Sequence, residues 1–140
     1  MRIFKIKFLG ANVGNEVISY GRFSIVNHPN LTIGPGSTIN EGVHINCRSN
    51  VYIGMNVHLS TNVQIHTGKL ILDTSPRSHT QENIIIKDNV WLASGVIVMS
   101  GVTIGENSII GAGAIVTKSI PKNSLAVGNP AKVIKSISIK

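Results

Sequence analysis

The chain has 140 residues, 42% of them hydrophobic and only 4% aromatic, and its 13 basic and 6 acidic side chains give a net charge of +7. This length predicts one domain, and no apolar run approaches the roughly 18 residues of a membrane-spanning helix. The basic residues are dispersed and few aromatic side chains could stack on bases, so the composition argues against nucleic-acid binding despite the positive charge.

The first 20 residues are predicted to lead into the main body of the domain. Residues 1–10 alternate apolar with basic side chains, which predicts a short strand or edge segment, and they lack the apolar core of a signal peptide. The single cysteine, Cys47, excludes an intramolecular disulfide and fits a reducing compartment. We therefore predict a cytoplasmic, single-domain protein with a lead-in over 1–20, coils over 21–120 and a tail over 121–140.

Within three blocks of the chain, an aliphatic residue recurs at every sixth position, and the residue three later is Gly or Asn in ten cases of twelve. The aliphatic positions are Ile33, Ile39, Ile45, Ile53, Leu59, Ile65, Ile86, Leu92, Val98, Ile104, Ile110 and Val116. Gly and Asn accept positive φ most readily, so each six predicts a short strand and a corner. Three such sides close a triangular coil, and the pattern predicts an all-β solenoid.

A longer repeat of twenty residues aligns Phe23–Ile33 with Val43–Ile53 and predicts a two-residue bulge at one corner of each coil. The gap from Ile65 to Ile86 is 21 residues, against 8 in the earlier copies, so thirteen residues are inserted at that corner. Loops that project from a rigid scaffold commonly carry function. The segment at about 66–83 is therefore predicted to be a functional loop, with a passive insertion as the alternative.

Beyond the repeats, Pro121 ends the last regular side and Gly128-Asn129-Pro130 predicts a turn. Pro130 suits the first position of a short helix that would run through Lys135. Residues 118–135 also hold a group of lysines that could contact a phosphorylated small molecule, although a solvated basic surface is the alternative interpretation. These lysines are Lys118, Lys122, Lys132 and Lys135.

Three segments, Ile86–Ser94, Gly101–Lys118 and Ala126–Ile134, resemble the hexapeptide-repeat acyltransferases. Among these, the chain is most similar to sugar O-acetyltransferases of the galactoside and maltose type and to those that modify surface polysaccharides. The resemblance covers roughly residues 31–135. It implies a left-handed parallel β-helix, a homotrimer, acetyl-CoA as the donor, and a hydroxyl of a sugar or glycan as the acceptor.

The resemblance also implies where acetyl-CoA binds, in a groove between neighbouring subunits near the C-terminal coils. Small residues would let the pantetheine approach the backbone, and lysines suit the CoA phosphates as point charges. For the two small residues at corners, plain packing is the alternative. The matching positions are Ser94, Ala112, Thr117, Lys118, Lys132 and Lys135.

The chain departs from its relatives at the general base. In galactoside- and maltose-type enzymes, a His follows the last aliphatic before the insertion by five residues, and here that position holds Leu70. His79 and His66 are the imidazoles of the insertion, and either could take the proton from an acceptor hydroxyl. We predict His79 as the base, because a loop could carry it to a neighbouring groove, whereas His66 directly follows an interior aliphatic.

Two other functions stay open at the level of sequence. Leu70 supports a catalytically degenerate trimer that binds CoA or serves as a scaffold. A zinc hydratase of the γ-carbonic anhydrase type shares the β-helix, but the histidine spacings do not reproduce the close His pair of that family, so we predict no metal. The histidines are His28, His44, His58, His66 and His79.

Overall fold

The computed structural model describes residues 2–140, which form a parallel β-solenoid of about six turns with one short helix, α1 (Ile3–Phe8). Strands are numbered in chain order. Sheet A contains β1 (Asn12–Val13), β4 (Leu31–Ile33), β7 (Val51–Ile53), β12 (Ile84–Ile86) and β15 (Thr103–Ile104). Sheet B contains β2 (Ile18–Ser19), β5 (Thr38–Ile39), β8 (His58–Leu59), β13 (Trp91–Leu92), β16 (Ile109–Ile110), β18 (Ser124–Val127) and β19 (Lys132–Ser136). Sheet C contains β3 (Ser24–Val26), β6 (His44–Asn46), β9 (Gln64–His66), β14 (Ile97–Val98) and β17 (Ile115–Val116).

The six-residue frame is confirmed on both of its counts. All twelve predicted aliphatic positions point into the prism, and none is more than 2% exposed. Of the ten Gly and Asn residues three positions later, all except Gly68 have positive φ. Gly68 is the exception because it opens β10 (Gly68–Ile71), the first strand of the insertion, instead of turning a corner.

Successive coils stack so closely at the corners that some positions exclude a side chain. A Cβ added to Gly34 would lie 2.6 Å from the carbonyl carbon of Gly54 in the next coil. The buried hydroxyl of Ser37 donates to the Gly54 carbonyl at 2.9 Å and accepts from the Val57 amide at 3.0 Å. Polar groups inside the corners are thus paired, and they link one coil to the next.

The N-terminal prediction was wrong. Residues 3–8 form helix α1 instead of a strand, with Ile6 fully buried against the first coil, and Met1 lies outside the described residues. A helix places Ile3 and Ile6 on one side, so both contact the open end of the core, whereas a strand would present alternate residues to it. The coils also begin before residue 21, because β1 pairs with β4 and β2 pairs with β5.

The predicted C-terminal helix was also wrong. Lys132–Ser136 is strand β19, which pairs antiparallel with β18, while β18 itself continues sheet B in parallel with β16. The last coil would otherwise leave a row of unpaired backbone groups at the sheet edge, and β19 covers them. Within residues 2–140, no helix has the length and apolar character needed to cross a membrane.

The insertion stands where it was predicted, but it is folded. β10 and β11 (Ser78–Gln81) form an antiparallel hairpin separate from the three sheets of the solenoid. An ion pair of 3.0 Å between Lys69 and Glu82 joins the two sides of its base. The hairpin is therefore a defined arm at the corner that follows sheet C.

Candidate active site

The hairpin register brings Leu70 and His79 directly opposite each other on β10 and β11. Directly opposed residues of an antiparallel pair project from the same face, with Cβ atoms about 5 Å apart. Both side chains are exposed, Leu70 to 54%. The His79 imidazole thus lies beside the position at which the family resemblance locates its general base, on the same face of the arm.

Polar contacts hold the tip of the hairpin, just before His79 in the chain. The Arg77 guanidinium donates to the carbonyl oxygens of Leu72 and Thr74, the latter at 3.1 Å. The Thr74 hydroxyl lies 3.0 Å from that of Ser78 and also accepts from the Ser78 amide. These contacts define the start of β11 and thereby the backbone position of His79.

His66 lies on sheet C, at the end of β9 where the hairpin leaves the solenoid. It is half-buried, and its Nε2 lies 2.9 Å from Oε1 of Gln64. Burial, and secondarily the neighbouring His44, lower the pKa of His66 below 6.5. His66 is thus a neutral imidazole held against the scaffold at pH 7, whereas His79 stands on the projecting arm.

Sequence reasoning missed a polar row on sheet C that leads to His66. The Ser24 hydroxyl lies 2.6 Å from Nδ1 of His44, and the His44 ring centroid is 5.7 Å from that of His66. His44 pairs with Gln64 in the next coil. The twenty-residue repeat could have revealed this row, because it places Ser24, His44 and Gln64 at equivalent positions of successive coils.

A second cluster that was not predicted lies on sheet B. The Trp91 ring lies 4.7 Å from that of His58, and its indole N–H donates to the Ser60 hydroxyl at 3.2 Å. His58 in turn has Nδ1 2.8 Å from the Thr38 hydroxyl. The pair forms a half-exposed aromatic surface with a fixed orientation.

The structure brings two of the predicted cofactor residues together at one corner. Ser94 and Ala112 occupy equivalent, exposed positions of successive coils between sheets B and C. The amide of Gly113 donates to the carbonyl of Ser94 at 2.9 Å, and Gly95 and Gly113 turn the corner with φ of +74° and +72°. Both small side chains therefore leave the backbone of this corner open to a ligand.

The remaining predicted cofactor residues are spread around sheet C and the tail. Thr117 and Lys118 are exposed and directly follow β17, at the opposite side of sheet C from Ser94 and Ala112. Lys132 pairs with Val127, close to the Gly128 carbonyl that accepts from Ile115 at 3.0 Å. Lys132 thus lies near the Ser94 corner, whereas Lys135 pairs with Leu125 farther along sheet B.

The candidate residues lie on an open surface of the single chain. One hollow of about 460 Å³ is lined by Lys87, Glu106 and Lys122, and another of about 480 Å³ by Ile109, Leu125 and Lys135. Neither hollow includes Ser94, Ala112 or the two candidate bases. The flat side of a prism supplies one wall, so a ligand groove along sheet C needs a second wall from elsewhere.

Two observations bear on metal and thiol chemistry. Nowhere in residues 2–140 do three side chains of His, Cys, Asp or Glu come together as metal ligands. Burial raises the pKa of the Cys47 thiol to about 12. The thiol is therefore protonated at neutral pH and is unsuited to act as a nucleophile.

Comparison with known proteins places this geometry in context. Residues 83–118 match the family described as bacterial transferase hexapeptide (six repeats). No curated protein sequence matches the chain. Among solved structures, an acetyltransferase with hexapeptide repeats from Vibrio cholerae O1 biovar eltor, complexed with acetyl-CoA, is similar with a TM-score of 0.89 at 25% identity over 96% of this chain and 75% of that one.

Two further structures are similar in sequence as well as in fold. A galactoside acetyltransferase in complex with CoA has a TM-score of 0.86 and 35% identity, over 95% of this chain and 68% of that one. A maltose O-acetyltransferase from Clostridium difficile 630 has a TM-score of 0.90 and 36% identity, over 96% of this chain and 73% of that one. With this identity across nearly its whole length, and with the repeats, corners and inserted arm in place, the chain belongs to the hexapeptide-repeat acyltransferase family.

Proposed function

We propose that this acyltransferase moves an acetyl group from acetyl-CoA to a hydroxyl of a sugar or surface glycan, with His79 as the general base. The similar structures that are named for maltose and for a galactoside support a sugar acceptor, and those that hold CoA or acetyl-CoA support the donor. The observation that carries the mechanism is the cross-strand pairing of His79 with Leu70. A buried, unpaired Cys47 is consistent with the reducing conditions of the cytoplasm.

The pairing explains how the chain can lack the His of its relatives and still be active. Moving an imidazole from β10 to the opposed residue of β11 shifts it by about 5 Å without changing the face from which it projects. The acceptor hydroxyl would then have to be bound about 5 Å from the place it takes beside a base at position 70, because the base must lie within hydrogen-bond reach of the proton. The exposed position of His79 also allows the ring to enter a groove on a neighbouring subunit.

His66 is the second candidate, and its surroundings suit a supporting role better. Its Nε2 lies within hydrogen-bond distance of Gln64, and its ring lies 5.7 Å from that of His44. A lowered pKa keeps it neutral, which a base requires, but the hydrogen bond to Gln64 would have to break or exchange before Nε2 could accept a proton. We therefore assign the polar row of His66 and His44 to contact with the acceptor.

In the proposed reaction, the His79 imidazole accepts the proton of the acceptor hydroxyl as its oxygen attacks the thioester carbonyl carbon. The new C–O bond forms, the C–S bond breaks, and the proton passes from the imidazolium to the CoA thiolate. Ser94 and Ala112 line the corner along which the pantetheine would run. Lys132, near the Ser94 corner, and Lys118, across sheet C from it, would hold CoA phosphates, because both residues are exposed.

The proposal includes a homotrimer, in which the side of a neighbouring prism supplies the second wall of the groove. The exposed apolar side chains of Leu70, Leu72 and Met99 around sheet C and the arm support it. We expect light scattering to return about 45 kDa, three times the 14.9 kDa of one chain. A mass near that of one chain would contradict the trimer and the groove that it is proposed to form.

The function is tested by following radioactive acetyl transfer from acetyl-CoA to a panel of monosaccharides and oligosaccharides. We expect transfer to at least one acceptor and its loss in His79→Ala, with acetyl-CoA binding retained in that variant by calorimetry. Transfer to none of the panel, combined with retained acetyl-CoA binding, would favour the catalytically degenerate alternative that Leu70 suggests. Absence of acetyl-CoA binding would refute the proposal as a whole.

A further inference from the structure

Helix α1 presents an aromatic stripe to solvent at the N-terminal end of the prism. Successive helical residues are rotated by about 100°, so Phe4 and Phe8 lie within about 40° of each other and opposite Ile3 and Ile6. Ile6 is fully buried against the first coil, whereas Phe4 is 78% exposed and Phe8 82% exposed. Packing of Ile6 therefore fixes the helix with its phenylalanines directed away from the core.

Basic residues flank this stripe on both sides. By the same rotation, Lys5 lies to one side of the two phenylalanines and Lys7 to the other, and both are exposed. Residues 1–30 contain four basic side chains and one acidic, Glu16. We name Phe4, Lys5, Lys7 and Phe8 the cap face, which combines large apolar side chains with a local excess of positive charge.

The charge of the cap face decides which partner it suits. In end-to-end contact between two copies, Lys5 and Lys7 would face lysines of the other copy, and that repulsion opposes self-association. An anionic lipid surface offers the complementary arrangement, because it attracts lysines at the headgroups and takes up aromatic rings at the boundary of the acyl chains. Long lysine side chains can reach the headgroups while the rings insert beside them.

We infer that the cap face is a site for reversible binding to anionic membrane surfaces. The inference gains strength from the proposed trimer but does not depend on catalysis. With the prisms packed side by side along a cyclic three-fold axis, all three N-terminal ends point in one direction, so three cap faces would contact the same surface together. One short amphipathic helix binds weakly, and three linked copies bind far more tightly than one.

The test is co-sedimentation of the purified protein with vesicles of phosphatidylcholine alone or with roughly 30% phosphatidylglycerol. We expect binding to the anionic vesicles only, weakened when salt is raised from about 0.05 M to about 0.5 M. Phe4→Ser/Phe8→Ser and Lys5→Glu/Lys7→Glu should each lower the bound-to-free ratio at least about fivefold. Both pairs are exposed, so we expect melting temperatures close to that of the unaltered protein.

A matched control separates the cap face from general attraction by a protein of charge +7. Lys87→Glu/Lys140→Glu lowers the net charge by as much as Lys5→Glu/Lys7→Glu does, at two exposed lysines outside helix α1. This variant should bind as the unaltered protein does. Absence of binding to anionic vesicles, or equal binding by the phenylalanine variant, would overturn the inference.

Two further readouts distinguish other outcomes. A mass above that of the trimer, lost in Phe4→Ser/Phe8→Ser, would show that the cap face joins copies of this chain instead of binding lipid. Acetyl transfer to a soluble sugar should be unchanged in both cap-face variants. If the proposed transferase activity fails while the vesicle binding holds, the two proposals are thereby separated.

Discussion

Two regions of the chain differ in what holds them together: the coils between Ile86 and Val116, and the hairpin between Gly68 and Gln81. In the coils, every sixth residue is buried and every corner has a positive-φ Gly or Asn, so packing and backbone conformation determine the repeated positions. In the hairpin, no residue is fully buried, and its backbone is held by a ladder, an ion pair and the contacts of Arg77. Stability therefore resides in the coils, and the arm is free to carry chemistry.

The largest expected effect belongs to the arm and concerns activity alone. His79→Ala should lower kcat by at least about 10²-fold, the usual contribution of a general base, with little change in melting temperature. His66→Ala should be milder. Steady-state rates with a productive acceptor, together with acetyl-CoA affinity, test this, and the reverse ranking would move the base to His66.

A paired substitution sharpens the same point. Leu70→His/His79→Leu exchanges the two opposed residues and places the imidazole where the family resemblance locates the general base. Because both positions project from one face, the swapped protein should transfer acetyl groups faster than His79→Ala does. Leu70→His in a His79→Ala background should likewise recover activity. If both variants are inactive, an imidazole at position 70 cannot act as the base.

Two glycines at the same place in the six-residue frame compare coil and arm for stability. A side chain added at Gly113 or at Gly68 would meet open space within 4 Å, but only Gly113 has positive φ, at +72°. Gly113→Val should therefore lower the free energy of unfolding by about 1–3 kcal/mol. Gly68→Val and the surface control Lys87→Ala should stay within about 0.5 kcal/mol. Equal values for the two glycine variants in denaturant titrations would contradict the corner assignment.

A smaller effect is expected from the lysines near sheet C. Lys118→Ala and Lys132→Ala should each raise the KM for acetyl-CoA roughly three- to tenfold with a lesser change in kcat, the pattern of lost ground-state binding. Lys87→Ala serves as the control, because Lys87 lines a hollow away from Ser94 and Ala112. Added salt should narrow the difference between variants and unaltered enzyme, since exposed charges are screened. Unchanged affinity in both variants would place the cofactor elsewhere.

The smallest effect concerns the pH dependence of stability at His66. Its pKa is lowered in the folded protein, so as pH falls below 6.5 the unfolded chain takes up the proton first. The free energy of unfolding therefore decreases on acidification, until the folded pKa is also passed. His66→Gln should reduce the loss of stability between about pH 7.5 and about pH 5.5, and His44→Gln should reduce it less. An identical loss in all three proteins would show that His66 is not linked to folding.

The sequence by itself was sufficient for the repetitive part of the molecule. Period six in aliphatic residues, with Gly or Asn three later, specified the interior, the corners and the point of insertion, because each coil satisfies the same local rules as its neighbours. The resemblance then supplied candidate cofactor positions, of which Ser94 and Ala112 meet at one corner.

Only the tertiary structure decided what happens where the repeat stops. Residues 3–8 are a helix and residues 132–136 a strand because each covers an open end or edge of the solenoid. The local sequence pattern of either segment does not specify the surface that it covers. The same holds for the arm: the pairing of Leu70 with His79 depends on a register set by contacts across the hairpin, and sequence spacing alone does not specify it.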